Sequence, residues 1–167
     1  MRVRPGLPGE QNKLKDFRCS KGGRAQNLVE EWVRKKACGW ARSSAARQLR
    51  FLVDEDDQVL GVLAFEPGDL PETWFVPIAA VHLNLQHPEH PEGEGDEPRP
   101  SWGTDLFQTC LDEMRGLTPE GSVYWKVALD NDERPHRMSR AVGADDPEPE
   151  FPDDPKNKHL VYSISFY

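Results

Sequence analysis

Apolar residues recur along this chain at two spacings, and each change of spacing marks a new element. Helical spacing predicts an amphipathic helix from residue 25 to Gly39 and a second one from Gly103 to Arg115. The inner face of the first comprises Ala25, Leu28, Val29, Trp32, Val33 and Ala37, and its outer face carries Glu30, Glu31, Arg34 and Lys35. The inner face of the second comprises Leu106, Phe107, Cys110, Leu111 and Met114.

Extended apolar runs predict five strands, at residues 49–53, 58–66, 74–86, 123–129 and 160–167. The polar turn DEDD joins the first two into an antiparallel hairpin, and Pro77 predicts a bulge or an edge near the start of the third. In the last run Leu160, Tyr162, Ile164 and Phe166 share one face. Strands interspersed with helices predict an α/β fold, in which helices cover both faces of one mixed sheet in a single domain of 167 residues.

Three segments do not fit either spacing. Residues 1–16 form a short polar leader that we expect to be irregular. Residues 87–100 and 145–155 are rich in Pro, Glu and Asp, and they have too few apolar side chains to order themselves. We therefore expect two mobile acidic loops.

Charge is distributed unevenly along the chain. The net charge is −8, but the first 50 residues hold 13 basic and 4 acidic side chains, which leaves −17 on the remainder. Two interpretations stay open. The basic part could bind RNA or the phosphates of a nucleotide cofactor, or both parts could be ordinary solvated surface that partly neutralises itself.

Several classes of protein are disfavoured by what the sequence lacks. It has no run of about 18 apolar residues, so no membrane partner is expected. Its basic start has no apolar core and does not resemble a secretory signal. Cys19, Cys38 and Cys110 have no paired spacing, which predicts reduced thiols in a cytoplasmic protein.

The stretch from Val81 to Ala144 runs as strand, acidic loop, glycine-opened helix, strand and polar helix. This order resembles the cofactor half of the GNAT-superfamily N-acetyltransferases. Their phosphate loop has the pattern Q/R-x-x-G-x-G/A, and here PRPSWGTDLF takes its place. Gly103 matches the final glycine, whereas Ser101 replaces the central one and Pro98 falls on the first position.

Two further stretches extend the resemblance over nearly the whole chain. VYWKVALDN followed by ERPHRMSRAVGA is similar to the family's strand, D/N pair, helix and glycine turn. Ser139 falls where many members place a tyrosine that serves the leaving thiolate. The N-terminal half, from FRCSKGGRAQ to VPIAAVHLNLQ, resembles the branch that includes toxins acetylating aminoacyl-tRNA.

The resemblance implies acetyl-CoA as co-substrate and transfer of its acetyl group to a primary amine. Such chemistry needs a base for the amine, a donor for the developing oxyanion and a proton or hydrogen bond for the thiolate. Glu66 or His82 is the candidate base, and Ser139 is the candidate donor to the thiolate, although a hydroxyl is a poor acid. The cofactor-binding candidates are Leu83 and Leu85 through their backbone, Arg99, Ser101, Trp102, Gly103, Thr104, and Asn131 beside the pantetheine arm.

Alternatives remain at this stage. The replacements at Ser101 and Ser139 and the acidic insertion would also suit a non-catalytic GNAT-like binding module. The acceptor could be a small molecule, a peptide or aminoacyl-tRNA, and acidic residues 89–97 favour a cationic small or peptidic amine. His87 and His90 stand beside Glu89 and Glu92, but the intervening prolines favour a loop over a metal site. A homodimer is compatible with the sequence.

Overall fold

The protein was analysed as a computed structural model, which describes residues 1–86, 101–129 and 133–167. The strands are β1 (Arg2–Pro5), β2 (Gln48–Val53), β3 (Val59–Pro67), β4 (Thr73–Val81), β5 (Ser122–Ala128), β6 (Glu148–Pro149) and β7 (His159–Ser165). The α-helices are α1 (Arg24–Trp40), α2 (Trp102–Leu117) and α3 (Glu133–Ala141). Short 3-10 helices lie at Glu10–Leu14, Ala41–Ser43 and Leu83–Leu85. None of the helices in these ranges is long and apolar enough to cross a bilayer.

Within the described residues the strands form one sheet in the order β1-β2-β3-β4-β5-β7-β6. β4 and β5 are parallel, and the other neighbouring strands are antiparallel. α1 packs on one face over a buried cluster that includes Val33, Ala37, Phe51, Val62 and Ala64. α2 packs on the other face over a cluster that includes Leu63, Phe65, Phe107, Trp125 and Tyr162. The predicted α/β architecture, with helices on both faces of a mixed sheet, is therefore confirmed.

Most predicted elements lie within one to three residues of their expected bounds. The β2–β3 hairpin forms, and Tyr162, Ile164 and Phe166 of the last run are buried on one face as expected. The third run is the exception, because β4 ends at Val81 and not at residue 86. Residues 83–85 form a 3-10 turn in place of the expected strand.

The prediction of an irregular N-terminus is wrong. β1 pairs with β2 at the edge of the sheet, with Val3 opposite Leu52. Arg4 holds this strand in place, because its guanidinium donates to Glu10 at 2.7 Å and to Asp57 at 2.8 Å. The polar leader is ordered through partners that are distant in sequence.

Two details of α1 also differ from the pattern. Leu28 is 61% exposed, whereas Glu30, which the pattern places outside, is only 4% exposed. The Glu30 carboxylate accepts hydrogen bonds from the backbone N–H groups of Cys19 and Ser20 and from Arg34. This carboxylate is buried because it anchors the segment that precedes the helix.

The second acidic segment is ordered, which corrects the prediction of a mobile loop at 145–155. β6 within it pairs with β7. Glu150 forms an ion pair with Lys126, and its other oxygen lies 3.0 Å from His159. The first acidic segment, 87–100, lies outside the described residues.

Candidate active site

The central feature of the sheet is a fork between its two parallel strands. β4 pairs with β5 only from Thr73 to Val76, opposite Ser122 to Trp125. Beyond that point the two strands no longer pair with each other; β4 continues beside β3, and β5 continues beside β7. Opposite Phe65 of β3, β4 carries a bulge made of Val76 and Pro77, which confirms the bulge predicted at Pro77.

Two backbone N–H groups of β4 point into the gap of this fork. The N–H of His82 donates to the carbonyl of Leu60 on β3 at 2.8 Å. Because N–H directions alternate along a strand, those of Ile78 and Ala80 also point toward β3. The N–H groups of Ala79 and Val81 therefore point to the opposite side, where β5 has separated, and Ala79 is exposed.

The predicted backbone donors lie just beyond this strand. The N–H of Leu83 donates to Arg18 O at 2.8 Å, and that of Leu85 donates to His82 O at 2.9 Å. Both N–H groups are occupied because the chain turns after Val81 and packs against the segment before α1. Sequence reasoning missed Ala79 and Val81, since periodicity cannot show where two strands part.

The first turn of α2 lies beside the fork. Ser101 is its N-cap, and the Ser101 hydroxyl accepts from the N–H of Thr104 at 3.1 Å and lies 2.8 Å from its hydroxyl. A Cβ added at Gly103 would lie 3.2 Å from Val81 Cγ2, so glycine allows the helix to approach β4 closely. Trp102 is half-buried against the core. Within the described chain, the N–H groups of Trp102 and Gly103 have no hydrogen-bond partner.

The candidate catalytic residues have separate environments. Glu66 lies opposite Phe75, just before the bulge, and its Oε2 accepts from Arg47 Nε at 2.9 Å. His82 packs edge-on against Phe17, and its Nδ1 accepts from the N–H of Asn84 at 3.2 Å. Within the described residues no hydrogen bond joins Glu66, His82 and Ser139.

Ser139 lies on the inner side of α3 and is fully buried. Its hydroxyl donates to the carbonyl of Pro135 at 2.9 Å and accepts from Trp125 Nε1 at 2.9 Å. The indole of Trp125 packs between Phe107 and Tyr162, so a tryptophan side chain fills the space beneath this position. The single hydroxyl hydrogen of Ser139 is already donated, and giving it to a thiolate would break the bond to Pro135.

A neighbouring polar pair was missed by sequence reasoning. His136 Nδ1 lies 2.7 Å from the Tyr162 hydroxyl, and both side chains are buried. Burial raises the pKa of the Tyr162 phenol above its ordinary value. The alternation in the last strand placed Tyr162 inside, but nothing in the sequence linked it to α3.

Side chains connect α3 to the segment that follows β4. Arg134 at the start of α3 donates from Nη1 to Gln86 Oε1 at 2.6 Å. Gln86 in turn donates to the carbonyls of Val81 and Cys19, both at 2.8 Å. Met138, one turn after Arg134, places its sulfur 3.9 Å from the position of a Cβ on Gly103. α3 therefore lies against the first turn of α2 and is linked through Arg134 to the segment that follows β4.

The remaining expectations are limited by the described ranges. Arg99 and Asn131, both proposed to bind the cofactor, lie outside the described residues, as do His87 and His90. Among the residues that the structure describes, no group of three or more His, Cys, Asp or Glu side chains could hold a metal ion.

This sheet, with its fork and flanking helices, has the fold of the GNAT acetyltransferases. No family model matches the sequence, and no curated protein matches it either. Solved structures match along the whole chain. AtaTR bound with acetyl-CoA has a TM-score of 0.68 and 13% identity over 99% of this chain and 92% of its own. A GNAT-family acetyltransferase from Staphylococcus aureus has a TM-score of 0.65 and 10% identity over 99% of both chains.

One further match, with a similar TM-score, is to an enzyme whose substrate class is known. Aminoglycoside 6'-acetyltransferase type Ii has a TM-score of 0.64 and 12% identity over 100% of this chain and 98% of its own. At these identities the matches show a common fold, and they confirm the resemblance found in the sequence. They leave the reaction and the acceptor of this protein open.

Proposed function

We propose that this protein is an acetyl-CoA-dependent N-acetyltransferase that acts on a primary amine. The observation that carries the proposal is the early end of the β4–β5 pairing at Val76 and Trp125. It leaves the N–H groups of Ala79 and Val81 facing a gap, beside a helix N-terminus opened by Gly103. Amides that have no hydrogen-bond partner among the described residues, next to a helix N-terminus, are suited to an acyl thioester that carries phosphates.

Each part of the fork has a role in this proposal. Acetyl-CoA supplies the activated acetyl group. The N–H groups of Trp102 and Gly103 would hold the pyrophosphate, where the helix dipole favours negative charge. The N–H of Ala79 would stabilise the charge that develops on the carbonyl oxygen, because the strand directs it into the gap at an exposed residue.

Glu66 is the better candidate for the base. It stands at the level where the bulge begins, and Arg47 fixes its carboxylate. Its carboxylate would receive the amine proton directly or through water. The Nδ1 of His82 already accepts a hydrogen bond, which would be lost if that atom took a proton.

A non-catalytic binding module is the second candidate, and two observations favour it. The hydrogen bond between Arg134 and Gln86 joins α3 to the segment that follows β4, and the Ser139 hydroxyl is hydrogen-bonded inside the protein. Such a protein would bind acetyl-CoA or a macromolecular partner without turnover.

The test is an acceptor screen that follows release of the CoA thiol at fixed acetyl-CoA. The acceptors are polyamines, aminoglycosides, lysine-rich peptides and charged tRNA. With the best acceptor, Glu66→Gln should lower kcat/KM by about 100-fold, because the proton acceptor is lost. Glu120→Gln, an exposed carboxylate before β5, is the matched control and should keep the wild-type rate. Cofactor binding without turnover of any acceptor would instead support the binding module.

A further inference from the structure

One row of side chains crosses the sheet where the fork begins. Glu66 on β3 lies opposite Phe75 on β4, and Phe75 is the register partner of Tyr124 on β5. Each of the three is next in sequence to a residue that packs in or against the core under α2, namely Phe65, Trp74 and Trp125. Because side chains alternate along a strand, the row points to the face of the sheet opposite α2. The β4–β5 pairing ends one residue later, so the row borders the gap from that face.

The row includes an accessible aromatic pair. The ring centroids of Phe75 and Tyr124 lie 5.0 Å apart, with 30° between the ring planes, and both residues are half-buried. On this face α1 covers a buried cluster from β2, β3 and the end of β4, which does not include the pair. The face of an aromatic ring attracts cations. The Phe75 ring has one such contact within the protein, since the Lys126 ammonium lies 6.0 Å from its centroid.

A carboxylate lies beside the aromatic pair. Asp69 follows β3 in the turn to β4, is exposed, and places its Oδ2 3.5 Å from the Tyr124 hydroxyl. Gly68 allows this approach, because a Cβ added there would lie 2.8 Å from Tyr124 Cε1. The turn therefore closes over the edge of the Tyr124 ring and holds a negative charge next to it.

Asp69 is also the unbalanced charge of this region. Glu66 is paired with Arg47, and Lys126 is paired with Glu150, so each of these charges has a partner of opposite sign. In the described part of the chain Asp69 has no basic partner. A negative charge next to two aromatic rings is suited to an ammonium group that comes from outside the protein.

We propose that the acceptor is an amine with a second positive charge, which binds on the Phe75–Tyr124 pair beside Asp69 while the reacting amine lies between Glu66 and the gap. This inference rests on the proposed function and names its substrate class. Glu66 and Tyr124 are two strand spacings apart, roughly 10 Å. The two nitrogens of the acceptor would therefore be separated by a chain of several carbons.

The test compares kcat/KM for diaminooctane and for aminooctanol, which has the same length but carries a hydroxyl in place of the second amine. Wild type should prefer the diamine by about 10-fold, because only the diamine places an ammonium on the aromatic pair. Asp69→Asn and Phe75→Leu should each lower this preference by about threefold or more. The ratio of the two kcat/KM values cancels any general loss of activity, and thermal unfolding checks that the fold is kept.

Asp56→Asn is the matched control. Asp56 is an exposed carboxylate in the turn between β2 and β3, at the opposite end of β3 from Asp69, and it should leave the preference unchanged. It changes the net charge by the same amount as Asp69→Asn, so it separates a local effect from a general one.

Four results would overturn the inference alone, all with wild type that acetylates at least one acceptor. They are no turnover of diaminooctane, equal kcat/KM for the diamine and the amino alcohol, a preference that is unchanged in Asp69→Asn or Phe75→Leu, and an equal loss of preference in Asp56→Asn. Wild type that releases no CoA thiol with any acceptor would overturn the proposed function, and the inference with it.

Discussion

At the scale of single residues, Ser139 shows how a replacement in a motif changes its role. The resemblance places it where a tyrosine would serve the thiolate, but its hydroxyl holds Trp125 Nε1 and Pro135 O inside the protein. These hydrogen bonds give the Ser139 hydroxyl a structural role. The indole of Trp125 packs against Phe107 and Tyr162 beneath α3 and fills the space next to the Ser139 hydroxyl.

We expect Ser139→Ala to destabilise the protein. It leaves the buried indole N–H of Trp125 without an acceptor, and such a loss costs about 1–3 kcal/mol. Urea unfolding measures the change, with Ser163→Ala on β7, which is only half-buried, as the control. A free energy of unfolding that is equal in the two variants would show that the hydroxyl is not structural.

At the scale of elements, the edge strand β1 depends on ionic contacts. Arg4 hydrogen-bonds to Glu10 and Asp57 and holds the pKa of both carboxyls below their ordinary values of 4.5 and 3.8. Groups with a lowered pKa in the folded state stabilise it above their unfolded values, and this stabilisation is lost as pH falls. β1 should therefore loosen in acid before the central strands do.

Hydrogen exchange tests this expectation. After correction for the intrinsic rate, protection of the β1 amides should decrease below about pH 4, where the unfolded carboxyls protonate. Arg4→Met should reduce protection at neutral pH and weaken the acid dependence, because Lys13 still pairs with both carboxylates. Arg2→Met is the control, because Arg2 is mostly exposed and its nitrogen lies 3.7 Å from Asp57. Unchanged β1 protection in Arg4→Met would show that the sheet hydrogen bonds suffice.

At the scale of the whole molecule, the opposite charges of the two parts of the sequence meet in the fold. Seven of the 13 basic side chains in the first 50 residues form ion pairs in the described part of the chain. Arg47 pairs with Glu66 and Arg50 with Glu113, which joins the basic part to the acidic part. The interpretation of mutual neutralisation thus accounts for part of the asymmetry.

The assembled fold also separates the features that the sequence predicts from those that it does not. Periodicity is a local signal, so it located α1, α2 and most strands within a few residues. Contacts between distant segments have no such signal. Arg4 reaches Asp57, and the N–H of Leu83 reaches Arg18 O, so β1 and the turn after β4 were missed. The fork also depends on contacts between distant segments, so the N–H donors of Ala79 and Val81 could be located only in the assembled sheet.

The central claim is that acetyl-CoA binds at the fork, against the first turn of α2. Calorimetry with acetyl-CoA tests it most directly, using wild type, Gly103→Glu and Gly116→Glu. A carboxylate at Gly103 adds bulk and negative charge beside the proposed phosphate site, whereas a Cβ at Gly116 on the same helix meets no atom within 4 Å. We predict binding by wild type and Gly116→Glu and none by Gly103→Glu. Absence of binding by wild type at millimolar acetyl-CoA, or equal binding by both variants, would contradict the account.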